Sequence, residues 1–512
     1  MKYGASPARI AAALAACLFL PLTAHAQQTS SRPELTQVYL VQNSGWMEPF
    51  YADRGSQFRS VVTSLIESTR IEGVDVIVAT FNQNGQIPGH TSPEQVFAGP
   101  YDRERIGSVI TAIEPPRRPD GKYADSDFFG ALNGTANDLT GGRQAIIWMI
   151  TNNKASPNNS QEVIQNTGKF YASLRDTEQF RKIVAFPIRM QVHGPHYNEF
   201  GFIVYGIAYG ELASKALSFL IADDQPVRKF FTDPPVRVKP LDQDPLRLEL
   251  TAQSLEPVDA ALEQGVLTLR HVPGSSESEV RLIGRLVNSY YPQEIQAAVL
   301  SAGSSATAGA PSIDAQISPK SIQGLPPRAT LGDVVLDLRI PAVRRSSIFQ
   351  DHAQAQGYLY IRLSDARLGL GRDFVSRMKD VFGINLLMRD QKQAEASQLP
   401  EVFFDYQRVK SATTAVPIVV VYDFSPWPLI LASVGGILVL GLLGGGGVLA
   451  VLPRAYSVRV GSSTVKVKLR PFEERIVQAP SGVRAKVRGP LLGKPAVEVL
   501  GNDTEAVNKV HA

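Results

Sequence analysis

Cysteine is almost absent from these 512 residues, and the single one, Cys17, lies in an N-terminal stretch that reads as an export leader. A chain cleaved after Ala26 would carry no thiol, which excludes disulfides and cysteine nucleophiles and is compatible with an oxidising compartment. Histidine is scarce as well. Of seven, His25 and His511 sit near the ends, which leaves few acid–base candidates. His193-Gly-Pro-His196 pairs two imidazoles, but no third ligand is near in sequence and zinc needs three or four. Gly444 to Gly447 lacks the Lys-Ser/Thr ending of a phosphate loop, and Gly369 and Gly371 in RLGLGRDF fall short of a nucleotide fingerprint. No nucleophile–base–orienter set can be assembled from the sequence.

The ends carry what the middle lacks. Lys2 and Arg9 precede an apolar stretch, Ile10 to Leu22, and Ala24-His25-Ala26 forms a small-x-small cleavage site, so residues 1–26 read as a signal peptide. A lipoprotein box, Leu14-Ala15-Ala16-Cys17, is the rival; it would leave a short apolar core and place Leu-Phe-Leu directly after the cysteine. Residues 429–452 contain no charge, and 24 residues at about 1.5 Å each reach about 36 Å, enough for a hydrocarbon core of about 30 Å. The expectation is one transmembrane helix, with Trp427 at one edge and Arg454 past the other. Residues 453–512 hold 11 Lys or Arg against 5 Asp or Glu, whereas 27–452 carry a net −4. By the positive-inside rule this basic, β-rich tail is cytoplasmic, where it faces anionic lipid and needs no nucleic acid to explain its charge. The implied location is the bacterial inner (cytoplasmic) membrane, with the N-terminal region periplasmic.

Between these ends the texture changes twice. Residues 35–222 alternate apolar runs with amphipathic stretches, as in α/β layers. Strands are expected at 36–42, 74–81, 144–151, 182–189 and 200–208, and helices at 56–69, 102–113, 128–139, 160–175 and 211–221. From 236 to 365, alternating segments such as LRLEL, VRLIGRLVN and YLYIRL, separated by Pro- and Gly-rich turns, suggest an Ig-like β-sandwich. A membrane-proximal region at 366–426 mixes helix (373–391) and strand (401–423).

Three loops in the first region stand at strand ends: Gln42-Asn43-Ser44-Gly45-Trp46-Met47, Asp125-Ser126-Asp127 leading into a helix, and Ile150-Thr151-Asn152-Asn153. In order and spacing they resemble the loops of a von Willebrand factor A domain, over about residues 35–210. That resemblance implies a doubly wound α/β (VWA-like) domain whose loops meet at the topological switch point. It also implies a crevice where hydroxyls and carboxylates hold a divalent cation. Matched by position, Ser44 is retained and Ser126 takes the place of a threonine. Gln42 and Asn152 stand where the family has aspartates, and Trp46 stands where it has a hydroxyl. Hard cations prefer carboxylate oxygen, so the expectation is a degenerate site with no metal and no cofactor. If a cation such as Mg2+ binds at all, its ligands would be Ser44, Ser126 and Asp127. Asp127 has another reading as the cap of the helix that follows it.

The crevice residues Gln42, Ser44, Trp46, Ser126, Asp127 and Asn152 are therefore expected to bind a protein partner. The chain would act as a non-enzymatic, membrane-embedded scaffold or accessory subunit of an envelope complex. A cation-dependent adhesion domain and an unrecognised hydrolase are the alternatives.

Overall fold

The computed structural model describes residues 34–154, 161–231, 233–252, 258–306, 312–382 and 401–501. The expected leader, 1–26, lies outside them. The chain divides into two compact units, one holding residues up to 269, 279–340 and 356–419, the other 270–278, 341–355 and 420–512.

The first sheet is built around β1 (Leu35–Gln42), every residue of which is buried. A strand covered on both faces favours a continuous apolar run over strict alternation, and Val38-Tyr39-Leu40-Val41 supplies it. β1 runs parallel to β2 (Val76–Phe81) on one side and to β4 (Gln144–Thr151) on the other, with Val38 opposite Ile77 and Ile147. One face, carrying Tyr39, Val41, Trp148 and Ile150, packs with Phe58, Val62 and Leu65 of the helix Phe58–Thr69 and Ile106 and Ile110 of the helix Arg103–Ala112. The other face, carrying Val38, Leu40, Ile147 and Met149, packs with Phe128 and Leu132 of the helix Phe128–Gly134 and Phe170 and Leu174 of the helix Gln161–Asp176.

The expected doubly wound pattern is overturned beyond β4. β5 (Phe180–His193) and β6 (Asn198–Tyr209) are joined by only Gly194 to Tyr197, closed by a Gly194 N–H donating to the Tyr197 carbonyl. A connection this short reverses the chain, whereas a parallel neighbour needs a crossover of a dozen or more residues. β6 accordingly lies antiparallel between β4 and β5. With β3 (Glu94–Gly99) antiparallel at one edge and β7 (Val236–Lys239) at the other, the order is β3-β2-β1-β4-β6-β5-β7. Only two of its six pairings are parallel. The chain as a whole is mostly β, 44% strand against 25% helix, rather than α/β.

Among the described residues, 246–423 supply ten further strands: β8 (Leu246–Ala252), β9 (Asp259–Glu263), β10 (Val266–Pro273), β11 (Ser278–Asn288), β12 (Gln293–Ala306), β13 (Asp314–Ser318), β14 (Ser321–Leu325), β15 (Thr330–Ile340), β16 (His352–Leu370) and β17 (Ala412–Asp423). They form sheets ordered β14-β12-β16-β17-β10-β9 and β13-β15-β11-β8. The Ig-like sandwich expected over 236–365 therefore needs correction at both ends. β7 leaves it for the first sheet, and β17 enters it from well past residue 365. The helix Arg372–Phe382 does not stand apart near a membrane; its Phe374 and Met378, with Phe403, are buried in the core of the first sheet.

Among the described residues no helix is long and apolar enough to cross a membrane, which overturns the span expected at 429–452. The segment is helical over Trp427–Val451. The tail forms a two-stranded sheet, Arg454–Val460 with Ser463–Leu469, and a three-stranded sheet of Glu474–Gln478, Arg484–Arg488 and Ala496–Leu500. Val458, Leu469, Ala485 and Val487 form its small core.

Candidate functional site

The three loops singled out in the sequence do meet, at the ends of β1 and β4 and the start of the helix Phe128–Gly134. Their floor is a closed set of uncharged hydrogen bonds. Gln42 Nε2 donates to Ser44 Oγ at 2.7 Å and to Ser126 Oγ at 2.9 Å, and the two hydroxyls lie 2.8 Å apart. Thr151 Oγ1 accepts from the Asn153 N–H at 2.8 Å and donates to Gln42 Oε1 at 2.5 Å. That donation fixes the carboxamide with its nitrogen towards the serines. Asn153 adopts a left-handed φ of 58°, which asparagine tolerates, and its side chain is held by Tyr171 and Tyr205, each at 3.0 Å. Gln42, Ser44, Ser126, Thr151 and Asn153 are all buried. The two hydroxyls thus face the positive end of a neutral N–H dipole, which opposes a cation approaching the same oxygens.

Asn152 sits beside this floor rather than in it. Its Nδ2 donates to the Trp46 carbonyl at 2.7 Å and its Oδ1 accepts from the Lys154 N–H at 3.3 Å. Asp127 takes the cap role: Oδ1 accepts from the Gly130 N–H at 3.0 Å, which opens the helix Phe128–Gly134. A Cβ on Gly130 would meet this carboxylate and require it to shift out of its capping position. The two histidines of the His193–His196 pair are held apart in role, the backbone N–H of His193 donating to the Asp53 carboxylate and the His196 ring Nδ1 lying 2.7 Å from Glu48. Among the described residues no group of three or more His, Cys, Asp or Glu side chains could hold a metal ion.

Above the floor the chain builds an aromatic wall. The β5–β6 hairpin packs on Pro49, so closely that a Cβ on Gly194 would lie 2.9 Å from its ring. This brings Tyr197 to the first loop, where its hydroxyl donates to the Gly45 carbonyl at 2.6 Å and its ring meets Trp46 edge-on at 5.2 Å. Gly45 lies so close to Tyr123 that a Cβ would come within 2.5 Å of the tyrosine Cβ. Arg117 stacks on Tyr123 at 4.0 Å, and His196 meets the same ring edge-on at 6.2 Å. Between these rings opens a cavity of about 400 Å3, lined also by Glu48, Arg118 and Lys122. Lys154 Nζ reaches over Trp46 at 5.7 Å while pairing with Glu199 at 2.5 Å.

Electrostatics follow from burial. Desolvation holds the Tyr197 phenol well above its ordinary range, with the Glu199 and Glu48 carboxylates adding to it, and desolvation also raises Tyr123. Burial raises the Glu199 carboxyl, and the Lys154 ammonium only partly offsets it. The site therefore offers rings and a rim where Arg117 and Lys122 stand beside Arg118, which is paired with Asp120 and Asp125. Sequence reasoning missed Thr151 and Asn153 in the floor, although both stand in the quoted loop. It missed Tyr123 and Tyr197 because neither belongs to a loop motif.

No protein-family model and no curated protein matches the sequence. Among solved structures, the YadV chaperone matches at a TM-score of 0.14 and 9% identity, covering 51% of this chain and 88% of its own. The E. coli chaperone DraB matches at 0.15 and 9%, covering 50% and 96%. The pilus adhesin SpaC from Lactobacillus rhamnosus GG matches at 0.19 and 8%, covering 91% and 69%. Scores this low assign neither fold nor function, and they do not bear on the von Willebrand A resemblance.

Proposed function

We propose that this chain is a binding protein that takes up a segment of a protein partner in the cavity beside Trp46, without a bound cation and without catalysis. The observation that carries the reading is the wall formed by Trp46, Tyr123 and Tyr197 around an open cavity, with Arg117 and Lys122 at its rim. Tryptophan, tyrosine and arginine are enriched at binding hot spots, the two aromatics because they bury large rigid surfaces at low entropic cost. The floor below adds rigidity rather than chemistry, since its polar atoms are satisfied by one another. Read with the export leader, the partner is an envelope protein and the chain serves as a scaffold or accessory subunit outside the cytoplasm.

A photo-reactive residue in place of the exposed Lys122 of the full-length chain tests this. The expected result is one discrete crosslinked protein that is lost when Trp46→Ala is added and retained in the presence of chelator. A crosslink that persists in Trp46→Ala, or none at all, contradicts the reading.

A further inference from the structure

A second cavity, of about 380 Å3, opens where the outer edge of the first sheet, β5 and β7, meets the ends of β8 and β11. Six basic side chains line it against two acidic ones, Asp223 and Asp244. Two of the six pair with carboxylates, and a third, Lys239, forms no ion pair among the described residues but is engaged by backbone carbonyls outside the cavity lining. Lys239 Nζ donates to the carbonyls of Arg175 and Thr177 at 2.8 Å, Arg247 pairs with Glu249 at 2.8 Å, and Arg228 pairs with Asp223 at 3.3 Å. Lys182, Arg237 and Arg328 remain, and none of them forms an ion pair among the described residues. Lys182 Nζ donates to the neutral Ser218 hydroxyl at 2.8 Å. The Arg237 guanidinium donates to the carbonyls of Gln243 and Asp244 and lies over the Tyr290 ring at 5.4 Å. These contacts satisfy N–H groups without cancelling charge, and among the described residues Asp244 is the carboxylate whose charge acts on both Lys182 and Arg237.

We propose that this cavity is a binding site for a small, soluble phosphate-bearing anion. Guanidinium and ammonium groups supply converging charge-assisted donors, which suit a tetrahedral dianion better than a lone carboxylate. The volume lies within the range of about 300–1,000 Å3 usual for ligand pockets, and it exceeds the needs of a monatomic ion. The local electrostatics agree. Burial, with the charge of Arg237 next, pushes the Lys182 amine down to about 8, and Asp244 only partly offsets this. A bound anion restores the ammonium, so binding near pH 8 takes up a proton. The site is separate from the Trp46 cavity and does not depend on the reading given to it.

Calorimetric titration of the full-length chain with inorganic phosphate and with pyrophosphate at low salt tests the assignment. Saturable one-site binding is expected, weakened at least about tenfold by Lys182→Gln and by Arg328→Gln, since each removes a charge-assisted bond. Near pH 8, buffers of different ionisation enthalpy should report net proton uptake. Because Arg328 is exposed, its variant keeps the test decisive even if Lys182→Gln fails to fold. No saturable heat in the low-millimolar range, or binding unchanged in Arg328→Gln, overturns the proposal. Binding confined to phosphatidylglycerol vesicles overturns the assignment to a soluble ligand.

Discussion

Replacing Gln42 with methionine keeps the length of the side chain and removes its whole hydrogen-bonding capacity. Three bonds vanish at once, to Ser44, Ser126 and Thr151, in a pocket where Gln42 has no exposed surface. Each buried bond contributes about 1 kcal/mol net, so the loss is about 3 kcal/mol. The Ser44 and Ser126 hydroxyls still have each other, and Thr151 still accepts from the Asn153 N–H, which keeps the figure from rising further. In a region of about 200 residues, 1 kcal/mol moves the melting midpoint by about 2–4 °C, so the expected drop is about 6–12 °C. Trp46 and Trp148, two of the three tryptophans, lie in this part of the chain and report its unfolding by fluorescence. A drop below about 1 °C would mean that Gln42 does not hold the floor together.

Four further outcomes follow from the same geometry. Gln42→Asp with Asn152→Asp should give measurable magnesium affinity by calorimetry only when Trp46→Ser is added to open space, because hard cations need carboxylate oxygen. The Glu199 pKa is raised by burial, so the folded state holds its proton to higher pH than the unfolded chain does. Stability should therefore fall as pH rises from the ordinary glutamate value through the raised one, and Glu199→Gln should flatten that part of a melting-temperature profile. For Lys182 the pKa is lowered to about 8, so the unfolded chain binds more protons between there and 10.5. Stability should rise with pH across that window, and Lys182→Gln should remove the rise. Gly45→Ala forces Tyr123 to move and should cost about 1–3 kcal/mol in thermal or denaturant unfolding, as overpacking does.

Much of the first region was legible because its strands and helices carry strong periods. The strand expected at 144–151 spans Gln144–Thr151, and the helix expected at 56–69 spans Phe58–Thr69. Pairing direction was not legible. The residues of β6 read as a buried strand whichever way it runs, and only the four-residue Gly194–Tyr197 connection, taken as a reversal, would have placed it antiparallel to β5. β3 escaped notice because Phe97 is the one buried residue in EQVFAG, too little apolar pattern for an edge strand to announce itself. β7 was assigned to the following region because four residues, VRVK, carry no mark of which sheet they join. At the site, matching by position to the von Willebrand A resemblance pointed to Gln42, Ser44 and Ser126, and that resemblance, with amides standing where it has aspartates, implied a poor cation cage. What those amides do instead, with one nitrogen shared between two hydroxyls, depends on side-chain geometry that sequence does not contain.

The central claim is that partner binding runs through Trp46 and needs no cation. It is tested most directly by measuring the affinity of the full-length chain for its crosslinked partner with and without chelator, for the native protein and for Trp46→Ala. The account predicts no effect of chelator and a loss of about 2 kcal/mol or more in Trp46→Ala, roughly thirtyfold, as for a buried aromatic anchor. Binding that chelator abolishes and Trp46→Ala leaves untouched would contradict it.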